Sequence, residues 1–255
     1  MGTIVVTGST SGIGAATAER LRRDGHRIVG VDLRDADVTA DLATDAGRDE
    51  AVARVRAASD GAITGLVACA GLGPHVPDWA AIVSVNYFGA VALLAGLRDA
   101  LVAGAPAAAV AVSSNSSMLP GADGDLVAAC LAGDEDRARA LAPTLDGHRC
   151  YAGSKLALAR WVRRNAPTDG WAGANVRLNA VAPGAVRTPL LDAGLRDAIY
   201  GDAIRGFPIP LGGFGTPGQI ADAIVFLLSD AASFCCGSVL YVDGGSDALL
   251  RPDQY

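Results

Sequence analysis

The sequence predicts an α/β protein in which a doubly wound parallel sheet of about seven strands is flanked by helices. Short apolar runs alternate with longer helical patterns, and the runs at residues 65–70 and 107–113 are almost continuously apolar, as expected for strands covered on both faces. A hydrophobic fraction of 51% is enough for a large core. Since no internal repeat or linker is visible, we expect a single domain over residues 1–255.

The elements follow from these periodicities in chain order. Strands are expected at residues 3–7, 27–31, 65–70, 107–113, 176–181 and 238–242, with a very short one near 37–38. Helices are expected at residues 12–23, 46–58, 79–103, 151–164 and 217–229. Residues 115–148 interrupt the alternation, and their Ala/Leu-rich, charged middle predicts a helical insertion. The Gly/Pro-rich stretch 183–216 predicts a loop.

Composition narrows the function classes. The net charge is −6 and no Lys/Arg cluster stands out, which argues against nucleic acid or an anionic membrane as a partner. No apolar stretch reaches membrane-span length and residues 1–8 carry no basic leader, so we expect a cytoplasmic protein. Five cysteines without zinc-type spacing and three scattered histidines predict free thiols and no metal site.

One basic residue differs from all the others. The 21 basic residues are 20 Arg and a single Lys, Lys155. Arg replaces Lys almost anywhere on a solvated surface, but not where a compact ammonium on a flexible stem is needed. This position therefore calls for a chemical explanation.

A glycine-rich loop lies between the first expected strand and the first expected helix. Glycines there allow a tight turn and a close approach of the backbone to a pyrophosphate, which the helix N-terminus also attracts. The expected phosphate-binding residues are Gly8, Ser9, Ser11, Gly12, Ile13 and Gly14. In this context the loop predicts a dinucleotide site in a Rossmann fold.

An acidic residue at the end of the second strand predicts which dinucleotide is used. Asp32 lies 18 positions after Gly14, where a carboxylate accepts hydrogen bonds from the adenosine ribose and repels a 2′-phosphate. We therefore expect NAD(H) over NADP(H), although Arg34 nearby weakens the argument. Asp41 and Leu42 are expected to flank the adenine. The alternative interpretation of Asp41 is an acidic loop residue that is exposed to solvent.

The spacing Tyr151-x-x-x-Lys155 predicts the catalytic pair. Residues four apart share one helical face, so the phenol and the ammonium are expected to be neighbours. A free tyrosine with a pKa of about 10 is a poor base, and we expect the ammonium to lower that pKa. The phenol could then exchange a proton with a substrate oxygen.

Two further polar residues complete the expected constellation. Ser114 follows the fifth strand, at the sheet edge where ligands bind, and would orient the substrate oxygen; Ser116 and Ser117 are alternatives. Asn86 lies in a strongly apolar helix and needs partners. It indicates either a helix kink whose carbonyl holds a relay water near Lys155, or an ordinary core asparagine.

Residues after the sixth strand are expected to cover the site. Backbone at Pro183 and Gly184 could contact the nicotinamide carboxamide, and Thr188 could reach a phosphate. The apolar, Gly/Pro-punctuated segment that follows indicates a mobile lid over an apolar substrate, or else a plain surface loop.

Taken in order, these motifs resemble the short-chain dehydrogenase/reductase family over essentially the whole chain. The resemblance implies a tetrad of Asn86, Ser114, Tyr151 and Lys155, and cofactor contacts at Ala70 and Gly71. Two features depart from the family pattern: Cys69 replaces an Asn, and about 24 extra residues separate Ser114 from Tyr151.

Within the family, several segments are similar to the bacterial 3α-hydroxysteroid dehydrogenase/carbonyl reductase group. These include YAGSKLAL, VRLNAVAPGAVRTPLLDAGL and the tail DALLRPDQY. The resemblance implies NAD(H)-dependent interconversion of hydrophobic secondary alcohols and ketones, 3α-hydroxysteroids and 3-ketosteroids among them. We expect the insertion to cover a helix face used for tetramers and to leave a homodimer. The alternatives are a broad carbonyl reductase for non-steroid ketones and a non-catalytic NAD-binding regulator.

Overall fold

A computed structural model describes residues 2–254 and contains one sheet of seven parallel strands in the order β3-β2-β1-β4-β5-β6-β7. The strands are β1 (Thr3–Thr7), β2 (Arg27–Asp32), β3 (Val38–Thr39), β4 (Gly65–Ala68), β5 (Ala107–Val112), β6 (Val176–Pro183) and β7 (Val239–Val242). The strand order reverses next to β1, and this switch point is where open α/β sheets bind ligands. The sheet confirms the predicted fold class.

Helices cover both faces of the sheet. They are α1 (Gly12–Arg23), α2 (Asp45–Ala58), α3 (Trp79–Val83), α4 (Ala90–Gly96), α5 (Arg98–Ala103), α6 (Asp125–Ala132), α7 (Glu135–Leu141), α8 (Gly147–Asn165), α9 (Pro189–Arg196), α10 (Gly201–Gly206), α11 (Pro217–Leu228) and α12 (Ser246–Leu250). Helices α1 and α11 pack on one face, over a core that includes Val6, Val110 and Ile224. The larger core on the other face lies under α2 to α8.

The insertion is helical, as expected, but it contains two helices. Gly133 has a φ of +74°, which ends α6, and the Asp134 carboxylate then caps α7 by accepting a hydrogen bond from Arg137 N. Helix α6 packs on α8 and α7 packs on α3. The insertion therefore covers the outer face of α8, which carries Tyr151, and the outer face of α3, which precedes Asn86.

Several expected boundaries were wrong. The fourth strand ends at Ala68 rather than residue 70, because the amides of Cys69 and Ala70 both donate to Thr7 Oγ1, at 3.0 and 2.9 Å. The helix expected from residue 151 begins at Gly147, because Asp146 caps it through Arg149 N. The stretch 183–216, expected as a loop, contains α9 and α10.

The helix expected over residues 79–103 is not continuous. Residues Ser84–Gly89 form a π-helical turn between α3 and α4, and Leu97 separates α4 from α5. Residues 79–96 have the length and mean hydropathy (1.6) of a membrane span, yet 61% of them are buried inside the protein. Burial of this kind is typical of a core helix.

Candidate active site

A cleft of about 330 Å³ opens where the strands β1, β4, β5 and β6 end. Parallel strands deliver their carboxyl ends to one edge of the sheet, so loops distant in sequence meet there. The expected site residues that line this cleft are Gly8, Ser11, Gly12, Ile13, Gly14, Ala70, Gly71, Ser114, Tyr151, Lys155, Pro183, Gly184 and Thr188. The cleft thus brings together expected site residues that are as much as 180 positions apart, Gly8 and Thr188.

The loop at the floor of the cleft is built for close backbone packing. Gly8 and Gly12 have φ values of +67° and +54°. A Cβ on Gly14 would lie 2.0 Å from the Gly8 carbonyl oxygen, so no side chain fits there. The Ser11 side chain makes no capping hydrogen bond and the first turn of α1 holds no acidic residue. The first amides of α1 are therefore free of a side-chain cap, as a pyrophosphate would require.

Asp32 lies in a neighbouring surface depression that Ser9 also lines. Its Oδ2 accepts hydrogen bonds from Thr10 N and Thr10 Oγ1, at 3.0 and 2.7 Å, and its Oδ1 accepts from Leu33 N at 2.7 Å. The carboxylate is thus fixed at the end of β2, beside the glycine-rich loop. Thr10 had not been singled out in the sequence, although its position within the loop offered the signal.

Asp41 and Leu42 lie farther from the cleft. Asp41 is exposed and accepts a hydrogen bond from Ala43 N, while Leu42 is buried and its carbonyl accepts from Arg48 Nε at 2.8 Å. Neither residue lines the cleft or the depression around Asp32. Their expected contact with an adenine remains a prediction.

Lys155 is buried beneath the cleft, with 4% of its surface exposed. Its Nζ donates to the Val112 carbonyl at 2.8 Å, which ties α8 to the end of β5. Burial lowers the pKa of Lys155 to about 8, partly opposed by the nearby Cys69 thiol. The ammonium therefore loses its proton close to neutral pH, unlike any surface lysine.

The pKa of Tyr151 shifts in the direction opposite to our expectation. Burial raises it, a hydrogen bond with Ser114 lowers it, and Cys69 raises it further. The expected lowering by Lys155 is not found, because the ammonium is directed at the Val112 carbonyl and desolvation outweighs the other effects. What favours the phenolate here is the Ser114 hydroxyl.

Asn86 lies in the π-helical turn and is fully buried. Its Oδ1 accepts from Leu72 N at 2.7 Å and its Nδ2 donates to Leu72 O at 3.0 Å. A Cβ on Gly71 would lie 3.1 Å from Asn86 Oδ1 and 3.4 Å from Lys155 Nζ, so the amide and the ammonium flank this glycine. The side chain is satisfied as in a core asparagine, and the backbone distortion that we expected is present.

Thr188 faces the glycine-rich loop with its methyl group. Its Cγ2 would lie 3.1 Å from a Cβ on Gly12, whereas its hydroxyl caps α9 by accepting from Leu191 N and donates to Val186 O. The phosphate contact of Thr188 stays a prediction. Cys150, which precedes Tyr151 in the chain, is fully buried, and burial raises its pKa to about 11, which favours an inert thiol.

The outer part of the cleft is apolar and partly formed by the two helices α9 and α10. Its lining side chains include Leu119, Leu190, Leu191, Ile204 and Phe207. His148 and Tyr200 also line it and had not been singled out. His148 precedes Tyr151 by three positions on the same helix, a signal that the wrong helix start had hidden. Within residues 2–254 no group of His, Cys, Asp and Glu could hold a metal ion.

Comparisons with known proteins agree with this arrangement. Residues 2–149 match the family model described as short chain dehydrogenase, and residues 144–247 match the one described as enoyl-(acyl carrier protein) reductase. The chain is 47% identical to the 3-alpha-hydroxysteroid dehydrogenase/carbonyl reductase of Comamonas testosteroni, with all of both proteins aligned. It is 34% identical to the cis-4-hydroxycyclohexanecarboxylate dehydrogenase of Sinomonas cyclohexanicum, over 96% of each.

A solved structure is similar over the whole chain. The 3-alpha-hydroxysteroid dehydrogenase from Pseudomonas sp. B-0831, complexed with NADH, shares 50% identity with a TM-score of 0.97, covering 99% of this chain and 100% of that one. The order of the motifs, the parallel sheet and the placement of Tyr151 and Lys155 agree with these matches. The chain belongs to the short-chain dehydrogenase/reductase family.

Proposed function

We propose that this protein is an NAD(H)-dependent oxidoreductase that interconverts a hydrophobic secondary alcohol and its ketone. The observation that carries the proposal is the meeting of the Ser114 hydroxyl, the Tyr151 phenol and buried Lys155 in one apolar cleft, next to an uncapped helix N-terminus. The substrate class that we favour is 3α-hydroxysteroids and 3-ketosteroids, with wider carbonyl reduction. This follows the name of the full-length relative and the apolar lining of the outer cleft.

The glycine-rich loop and Asp32 would hold the cofactor. The free amides at the start of α1 suit its pyrophosphate, and the Asp32 carboxylate suits adenosine ribose hydroxyls and disfavours a 2′-phosphate. The bound nicotinamide supplies the chemistry of accepting or donating a hydride. The relative of known structure is described as a complex with NADH, in agreement with this assignment.

The protein's own residues would manage the proton. Tyr151, assisted by the Ser114 hydrogen bond, would take the proton of the alcohol during oxidation and return it to the oxygen during reduction. Ser114 would hold the substrate oxygen. Lys155 would hold the ribose hydroxyls and pass the proton onward, with a relay water near the π-helical turn at Asn86.

A direct assay tests this proposal. NADH formation from NAD and androsterone is followed by absorbance for the wild type and for Tyr151→Phe. We expect turnover by the wild type and a loss of about 10²- to 10⁴-fold in the variant, because positioned proton transfer contributes that much. NADH binding should persist in both proteins. Wild-type turnover only with non-steroid ketones would remove the steroid assignment and leave a broad carbonyl reductase.

We also propose that the protein is a cytoplasmic homodimer. The insertion covers the outer faces of α3 and α8, while the edge strand β7 keeps an open side with exposed apolar side chains nearby. Those side chains are Phe226, Phe234 and Leu240, of which Phe234 is fully exposed. Residues 240 and 242 point to the same face of the sheet, and Val242 packs in the α1/α11 layer, so Leu240 and α11 share a face.

The five cysteines are all free, which agrees with a reducing compartment.

A further inference from the structure

Ser116 contacts the serine that would hold the substrate oxygen. It lies in the short 3₁₀ turn Asn115–Met118 after β5, is 8% exposed and lines the cleft. Its backbone N–H donates to Ser114 Oγ at 3.1 Å, and its own hydroxyl is 3.0 Å from the same oxygen. A single hydroxyl, that of Ser114, thus receives two contacts from one neighbour.

The number of hydrogen bonds that one hydroxyl can form limits the further bonds available to Ser114. A serine oxygen accepts two hydrogen bonds and its proton donates one. When Ser116 N and Ser116 Oγ both donate, the two acceptor positions of Ser114 are filled. Its remaining capacity is one O–H, which is free to donate to Tyr151 or, when substrate is bound, to the reacting oxygen.

We propose that Ser116 is a positioning residue that makes Ser114 an obligate hydrogen-bond donor. The inference deepens the proposed function, since Ser114 acts there on the substrate oxygen. With both acceptor positions filled, Ser114 cannot accept the proton of Tyr151, so the bond between the two must run from Ser114 to the phenol oxygen. A bond in that direction stabilises the phenolate, in agreement with the lowering effect of Ser114 on the Tyr151 pKa.

Other titratable groups line the same cleft as this phenol. They are Cys69 in the loop after β4, His148 and Lys155 on α8, and Tyr200 between α9 and α10. None of them is altered by a change at Ser116, and Ser116 itself carries no charge. A shift in the titration of Tyr151 on substitution of Ser116 therefore reports the Ser114 hydrogen bond.

The test compares Ser116→Ala with Ser116→Thr, which keeps the hydroxyl. Ser117→Ala is the matched control, because this serine is equally buried (7% exposed) and does not line the cleft. The first measurement is an ultraviolet difference titration of the protein without cofactor, in which subtraction of Tyr151→Phe isolates the Tyr151 signal. The second is the pH dependence of kcat and kcat/KM for alcohol oxidation, with NADH affinity and the melting temperature measured alongside.

We expect Ser116→Ala to titrate Tyr151 at higher pH, because Ser114 can then accept from the neutral phenol. Its kcat should fall roughly 10-fold, as for loss of one hydrogen bond, and the pH limb of oxidation should move the same way. Affinity for NADH should not change, and Ser116→Thr should restore both the titration and kcat. Unchanged titration in Ser116→Ala, or an equal effect in Ser117→Ala, would overturn the proposal. If the wild type oxidises no alcohol, the proposed function fails, while the titration still decides the role of Ser116.

Discussion

At the scale of single residues, Lys155 carries the clearest connection between composition and chemistry. It is the single lysine among 21 basic residues, and the fold buries it, with its ammonium donating to a backbone carbonyl. Arginine keeps its charge at any accessible pH, whereas a lysine here can release its proton near pH 8. The sequence could predict the position of this lysine but not the direction of its contact.

Burial of Lys155 should make folding stability depend on pH. The pKa of Lys155 is about 8 in the folded protein and has its ordinary value of 10.5 in the unfolded chain, so between those pH values the unfolded state binds more protons and stability rises with pH. Below pH 8 the buried charge costs about 3 kcal/mol. Lys155→Met removes this titration, so its stability relative to the wild type should be highest below pH 8 and decline toward pH 10.

Urea unfolding of both proteins from pH 7 to 10 measures that difference. Groups that do not interact with Lys155 titrate alike in the two proteins, so they cancel. Cys69 does interact with it, but its pKa is raised to about 12 by burial, so the folded thiol keeps its proton over this range. A difference that stays constant over this range would show that Lys155 is not desolvated to the extent that its burial implies.

Asp32 should decide between the two nicotinamide dinucleotides. Asp32→Ala removes the carboxylate that would repel a 2′-phosphate, and it also frees Thr10 N and Thr10 Oγ1 as donors. We expect the ratio of kcat/KM for NADPH to that for NADH to rise at least about 10-fold, the effect of about 1.4 kcal/mol. Asp99→Ala, which removes an exposed carboxylate on α5, should leave the ratio unchanged. The same ratio in Asp32→Ala as in the wild type would remove our argument for NAD.

At the scale of helices and strands, patterns in the sequence predicted those features that depend on contacts between residues close in the chain. The buried strands, the glycine-rich loop and the shared face of Tyr151 and Lys155 follow from periodicity and spacing, and the structure has them. The start of α8 is also determined by neighbouring residues, since Asp146 caps the helix. The π-helical turn is different, because its contacts come from segments distant in sequence.

A buried cluster of charges connects the insertion to that turn. Arg48 on α2 is 5% exposed, and its Nη2 donates to Glu135 Oε1 on α7 at 2.8 Å and to the Ser84 carbonyl at 3.2 Å. Arg139, also on α7, donates to Ser84 Oγ at 2.7 Å. The ion pair joins residues 87 positions apart, so no local pattern could have predicted it. It braces the first residue of the turn that contains Asn86.

Breaking this pair should be costly. Glu135→Leu leaves the Arg48 guanidinium buried beside three carbonyls, with the exposed Asp45 as its remaining carboxylate partner, and we expect a loss of about 3 to 5 kcal/mol in the free energy of unfolding. The double variant Arg48→Met/Glu135→Leu should recover most of this loss, since it leaves no buried charge and the second partner of Arg48, Asp45, is exposed. Glu50→Leu, which breaks the exposed pair with Arg54, should cost less than about 1 kcal/mol.

Chemical denaturation of the four proteins gives these values. The contradictory outcome is a double variant that is no more stable than Glu135→Leu. In that case the loss would come from packing around α7 rather than from the charge.

At the scale of the whole molecule, the insertion covers one helical face, whereas the edge of the sheet at β7 is left open. Helices α6 and α7 bury the outer faces of α8 and α3, and Arg160 on α8 is joined to Asp123 of the insertion by two hydrogen bonds of 2.7 Å. The far side of the sheet ends at β7, which within residues 2–254 pairs with β6 alone. Subunits associate through surfaces that several elements form together. The sequence could therefore suggest that the insertion covers one such surface, but it could not indicate which surface is left for a subunit contact.

The edge at β7 should therefore hold the homodimer together. We expect light scattering to give twice the 25.7 kDa of one chain, and Leu240→Arg to give a monomer, because a charge would be buried in the apolar contact. Val102→Arg on α5 is the matched control: its exposure of 40% is close to the 37% of Leu240, and it lies away from β7, so it should remain dimeric. A stable tetramer of the wild type would show that the insertion leaves a second face open, and a dimer of Leu240→Arg would place the contact elsewhere. If Leu240→Arg is monomeric and still binds NADH, the cofactor site is complete within one chain.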